Sequence, residues 1–139
     1  MKRSTQKIGT AGIALFAGLM DSLTGVLLMT VPLLTLRLMG VEAPSEAVPY
    51  VRFMGAFIFA VGSLYLWGLL SVALLGTWKG VFCMYYATAW IRAVIGVFST
   101  VAILSGGLGL EWGVVPLTDI SLAIFQVVWL LKGGIPRHV

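Results

Sequence analysis

Apolar residues run through this chain in four long blocks separated by short polar breaks, and the breaks define the elements. The first block, residues 8–29, is followed closely by Pro32, whose missing N–H and bulky ring kink or end a helix. Residues 33–39 read as a short interfacial helical turn, with Gly40 suited to cap it. Glu42, Pro44, Ser45, Glu46 and Pro49 make residues 41–49 an exposed loop. A second block covers residues 50–75, and Gly76-Thr77-Trp78-Lys79-Gly80 forms a tight turn. A third block covers 81–104, and Ser105-Gly106-Gly107 opens the next turn. The fourth block, 112–131, contains Pro116, which prefers a first helical turn. A helix starting at Pro116 is short for a bilayer and leaves residues 112–115 in the interface. A hydrocarbon core of about 30 Å needs about 20 apolar residues per helix, so each block is read as a membrane span. The expectation is an all-α, integral membrane four-helix bundle forming a single domain over residues 1–139, with antiparallel neighbours because the connections are short.

Composition sharpens this reading. The chain is 60% hydrophobic and 10% charged, against about 25% charged residues in soluble domains, and its mean hydropathy is +1.04. A formal charge of +4 would point to nucleic acid in a soluble protein. Here the basic residues gather at the chain ends and in one loop, which is a topology signal. Lys2, Arg3, Lys7, Lys79, Lys132 and Arg137 fall on one side, whereas Arg37 and Arg52 fall on the other with Glu42, Glu46 and Glu111. Cytoplasmic loops carry the excess of Lys and Arg, so both termini are expected in the cytoplasm. Trp78, Trp112 and Trp129 sit near span ends, as an aromatic belt requires. The basic start imitates a signal peptide, but the apolar run from Ile8 to about Val31 exceeds an h-region of about 7 to 15 residues. It is therefore read as the first span.

Several chemistries are excluded or unsupported. Cys83 is the single cysteine, so this chain forms no internal disulfide and holds no multi-cysteine metal site. The sole histidine, His138, lies in the tail, which leaves no intramembrane histidine as a haem or metal ligand or as a triad base. The glycines do not form the G-x-x-x-x-G-K-[ST] phosphate loop. Neither a catalytic residue, nor a metal, nor a nucleic-acid partner is assigned.

The candidate chemistry is a set of polar residues inside the spans. Asp21, Arg52, Arg92 and Asp119 supply one charge to each of the four blocks. On insertion scales an Arg or Asp at a helix centre costs about 2.5 to 3.5 kcal/mol, so such residues face the bundle interior and pair. Helical spacing puts Ala14, Ala17, Gly18, Thr24 and Gly25 on the face of Asp21, and Tyr85, Thr88, Ala89, Gly96 and Ser99 on that of Arg92. Gly55, Ala56 and Ser63 follow Arg52, and Ala123 and Gln126 follow Asp119. Small residues let membrane helices approach closely, and Ser, Thr and Gln hydrogen-bond across them. Counted from the outer ends, Arg52 is nearest the surface, Asp119 and Asp21 lie roughly 10 to 12 Å in, and Arg92 is near the middle. Two Arg and two Asp sum to zero, which implies a mutually neutralised cluster with Gln126 beside it, open toward the non-cytoplasmic face. Such a cluster is either a lock fixing helix order or the lining of a small ligand pocket. Tyr65, Trp67, Tyr85, Tyr86 and Trp90 are candidate aromatic walls for the pocket. Arg52 has the further option of snorkelling to the interface.

The glycine-rich first helix, Pro32 with Leu36-Arg37-Leu38-Met39-Gly40, Arg52-Phe53-Met54-Gly55-Ala56 and Asp119 resemble features of the small bacterial membrane proteins called DoxX-like. The resemblance covers nearly the whole chain through short motifs. It implies a four-helix bundle in the bacterial plasma membrane and a link to quinone oxidoreductases, some of whose membrane subunits belong to the group. It carries over no active-site residue. Three functions follow as expectations. The first is a non-catalytic accessory or scaffold subunit, with the lipid bilayer and other membrane subunits as partners. The second is a quinone-binding subunit without an intrinsic cofactor, taking up quinone or lipid. The third is a small proton-coupled transporter working through Asp21.

Overall fold

The computed structural model describes residues 2–135. Arg137 and His138 lie outside the described residues, as do the side chains of Lys2 and Arg3. The described chain is helical without strands: α1 (Lys2–Thr30), α2 (Pro32–Leu38), α3 (Val48–Leu75), α4 (Lys79–Leu104) and α5 (Val114–Leu131), with 3-10 turns at Ser45–Ala47 and Leu110–Gly113. Four stretches are long and apolar enough to cross a membrane: Gln6–Thr30, Ser45–Leu75, Lys79–Leu104 and Leu110–Leu131. The first span, expected over residues 8–29, lies within a helix that begins at Lys2, and a 3-10 turn precedes α5 in the fourth span.

Local chemistry explains the boundaries. Pro32 sits at the start of α2, where its absent N–H goes unmissed. That helix ends in a Schellman arrangement, with Gly40 N–H donating to Arg37 O and Val41 N–H to Leu36 O. Gly40 adopts φ +79°, a left-handed conformation that a side chain would resist. The accompanying apolar contact joins Leu36 and Val41, both buried, to Leu28 and Val51. Trp112 packs against this cluster, so α2 and the 3-10 turn before α5 meet at one end of the bundle.

The long helices pack through stripes of alternating three- and four-residue spacing. On α3 the inward positions are Val51, Gly55, Ile58, Gly62, Tyr65, Leu69 and Val72, and on α4 they include Val81, Tyr85, Thr88, Arg92, Gly96 and Ser99. This periodicity keeps one face on its neighbours along the length of a helix. The closest seam joins α1 to α3, followed by α4 with α5 and α3 with α4. Helix α1 approaches α5 far less closely. Along the α1–α3 seam Gly18 lies against Gly62 and Gly25 against Gly55. A Cβ on Gly25 would stand 2.5 Å from the backbone nitrogen of Phe59 and 2.7 Å from the carbonyl oxygen of Gly55. Those atoms are backbone and cannot swing away. Outward positions are large and apolar, including Phe16, Phe53, Trp67, Trp90 and Phe98, the reverse of a water-facing surface.

The seam makes a direct prediction. Gly25→Ala forces overpacking against fixed backbone and should cost about 1 to 3 kcal/mol, read as a lower melting temperature in detergent. At Gly12 nothing lies within 4 Å of the added carbon, and Gly12→Ala should leave stability unchanged or slightly raised.

Candidate functional site

Arg92 is placed near the middle of α4 by the buried stripe that also carries Tyr85, Thr88, Gly96 and Ser99. Each of its three guanidinium nitrogens donates to a different helix. Nη2 donates to Asp21 Oδ2 from α1, and Nη1 donates to Asp119 Oδ1 from α5 at 2.5 Å. Nε donates to the Tyr65 hydroxyl from α3 at 3.3 Å. The fixed fork of guanidinium donors suits this three-way role, which a lysine ammonium would fill with less directional control. Asp21 and Arg92 are buried, and the Asp119 side chain, at 14% exposure, is the most accessible of the three.

A second set of polar contacts extends the site along the bundle. Gln126 Nε2 donates to the Tyr65 hydroxyl at 2.5 Å and to Thr88 Oγ1 at 3.1 Å, tying α5 to α3 and α4. Thr88 returns its own hydroxyl hydrogen to the Met84 carbonyl at 2.8 Å. Farther toward the chain ends, the Tyr85 hydroxyl donates to Thr10 O at 3.0 Å and Trp129 Nε1 to Thr10 Oγ1 at 3.1 Å. Thr10 Oγ1 also contacts the carbonyl oxygen of Gly134 at 2.9 Å. The result is a polar spine with contributions from all four spans. Tyr65 and Tyr85, both at 0% exposure, fill the space along it edge to face with ring centres 6.3 Å apart.

Asp21, Arg92, Asp119 and Gln126 are brought together. Arg52 is not: it is exposed and forms no ion pair with either aspartate. The inward stripe of α3 begins at Val51, and one residue further rotates a side chain by about 100° out of it. The cluster therefore has three charges, and one guanidinium facing two carboxylates replaces the expected neutral set. At the α2 end, toward which the charges were expected to open, Leu28, Leu36, Val41 and Val51 form an apolar cluster, and the Asp119 side chain keeps 14% exposure. The aromatic residues divide, with Tyr65 and Tyr85 inside and Trp67, Tyr86 and Trp90 about two-thirds exposed on the outer surface. Tyr65, expected as a pocket wall, binds Arg92, and Thr10 joins the spine from a position no charge or motif marks. The stripe through Gly55, Gly62 and Tyr65 was the available signal for the former.

Between α4 and α5 an outward groove of about 410 Å³ is lined by Tyr86, Ala89, Trp90, Ala93, Ala123 and Val127, among others. Ala89 and Ala123 lie one helical turn from Arg92 and Gln126, so the groove backs onto the spine from the lipid side.

Removing one member of a buried ion pair leaves the other charge uncompensated, at about 3 to 5 kcal/mol. Arg92→Gln, which strands two carboxylates, should be the most damaging single change in the spine. Asp119→Asn, which leaves Arg92 with Asp21, should cost less. Thermal unfolding of the two variants in the same detergent measures the order, and equal midpoints would remove Arg92 from the centre of the network.

Compared with protein-family models, with curated proteins and with solved structures, the chain matches none of them.

Proposed function

We propose that this chain is a small non-catalytic integral membrane protein, an accessory or scaffold subunit that packs against a larger membrane complex. The observation that carries the reading is the direct pairing at Arg92: both carboxylates and the Tyr65 hydroxyl bind the guanidinium itself. A site organised in this way fixes which helices neighbour one another and in what register. The large apolar side chains displayed outward supply material for contact with lipid and with other spans. The DoxX-like resemblance is compatible with the same role, in a bacterial plasma membrane.

In the proposed topology neighbouring spans are antiparallel and both termini are cytoplasmic. The pairing of Gly18 with Gly62 and of Gly25 with Gly55, in opposite order along the two helices, supports the first part. The second is supported by Lys7 Nζ lying 5.8 Å from the centre of the Trp78 ring, next to Lys79, while Glu42, Glu46 and Glu111 belong to the other loops.

A second reading, binding of a quinone or lipid tail, is favoured by the α4–α5 groove. Its lining is almost wholly apolar, and Tyr86 and Trp90 stand at its wall. Small-ligand sites in bundles recur between helices.

Two measurements separate these readings. Gently extracted protein should run in native mass spectrometry as part of a larger assembly; a free monomer under conditions that keep other membrane complexes intact sinks the scaffold role. For the groove, a menaquinone or ubiquinone analogue should bind the wild type and lose at least tenfold in affinity to Ala93→Leu, which fills the groove. Equal binding by both proteins rejects the second reading.

A further inference from the structure

The charge count at the centre of the bundle leaves one unit unbalanced. With all three groups ionised, Asp21, Arg92 and Asp119 sum to −1, inside a bundle whose outer surface is apolar. Arg92 makes the only ion pairs among the described residues. The remaining described cations, Lys7, Arg37, Arg52, Lys79 and Lys132, belong to helix ends and loops. Tyr65 from α3 binds Arg92, and Gln126 from α5 and Tyr85 from α4 lie against Tyr65, with Thr88 from α4 on Gln126; none of them carries positive charge. An uncompensated charge in such an interior is disfavoured.

Gln126 is 2% exposed, and its Oε1 has no hydrogen-bond partner, although its Nε2 rests on the same Tyr65 hydroxyl that receives Arg92 Nε. The Tyr65 hydroxyl accepts from both Arg92 Nε and Gln126 Nε2, so its own hydrogen is a donor beside that amide. The two carboxylates have room to accept a proton. Asp21 binds Arg92 through Oδ2 and Asp119 through Oδ1, which leaves Asp21 Oδ1 and Asp119 Oδ2 outside the guanidinium contacts.

We propose that the Asp21–Arg92–Asp119 trio is a binding site for a single proton, carried on a carboxylate oxygen that does not contact Arg92. In the binding step one O–H bond forms on the carboxylate and a hydronium ion returns as water; Arg92 keeps a hydrogen bond to each carboxyl group and an ion pair with the one that stays ionised. Asp119 is the entry side, because its side chain is the most exposed of the three. The core then alternates between neutral and singly negative states. This goes beyond the scaffold role and holds whether or not a partner subunit is present.

Infrared spectroscopy of the full chain in phosphatidylcholine vesicles, titrated from mildly acidic to mildly alkaline pH, tests the site. The wild type should show the carbonyl stretch of a protonated carboxylic acid, and the band should disappear as about one proton per chain is released. Asp21→Asn and Asp119→Asn each restore a one-to-one charge balance and should each lose the band while keeping the helical circular dichroism of the wild type. A triple variant with Glu42→Gln, Glu46→Gln and Glu111→Gln, all in exposed loops, should retain it. Absence of the band from the wild type throughout the titration overturns the proposal. So does a band that survives in both asparagine variants, or one that is replaced by a requirement for sodium at constant pH. The wild-type titration decides the matter even if an asparagine variant fails to fold.

Discussion

Everything in this bundle is arranged around a cation that the surrounding medium will not solvate. Arg92 sits at the middle of an apolar helix, and each of the other three spans sends it one polar group: Asp21, Tyr65 and Asp119. Between apolar helices in lipid there is little hydrophobic preference for one arrangement over another, since lipid tails are as apolar as leucine. The guanidinium supplies that preference. Any change of helix order or rotation that removes a carboxylate from it leaves buried charge without a partner, which is a far larger penalty than the loss of any one packing contact.

Close packing does the complementary task. The Gly18–Gly62 and Gly25–Gly55 contacts bring α1 and α3 to backbone distance, while Gly96 lies against Ile120 and brings α4 to α5. These seams determine how near the helices come, and the polar spine determines which rotation each adopts. Where α1 faces α5 the seam is looser, and there Thr10, Trp129 and Gly134 join across it by hydrogen bonds. The two devices thus divide the perimeter of the bundle between them.

Much of this was legible in the residues. Four apolar blocks, the break at Pro32, the glycine turns and the inward faces of Asp21 and Arg92 follow from hydropathy and helical spacing, because each depends on residues close together in the chain. Arg52 shows where that reasoning stops. Its neighbours Gly55 and Ala56 looked like an inward face, yet the true stripe starts at Val51, and a shift of one residue is enough to turn a long side chain outward. The division of the aromatic residues was hidden for the same reason. Tyr65 and Trp67 are two positions apart, which on a helix is nearly opposite faces. Contacts such as Tyr85 with Thr10, 75 residues apart in sequence, depend on tertiary placement that no local pattern records.

The sequence separation within the charge trio has a consequence for biogenesis. Asp21 and Arg92 are 71 residues apart, and Asp119 follows Arg92 by a further 27. At about 5 to 20 residues per second of synthesis, roughly 4 to 14 seconds elapse between the emergence of the acid and that of its cation. The last residue of the first hairpin, α1 with α3, is Leu75, 17 residues before Arg92, so about 1 to 3 seconds of that interval follow its completion in sequence. The seam whose glycine contacts involve no charge is therefore the first to have all its residues synthesised, and the second hairpin carries the counter-ion for Asp21.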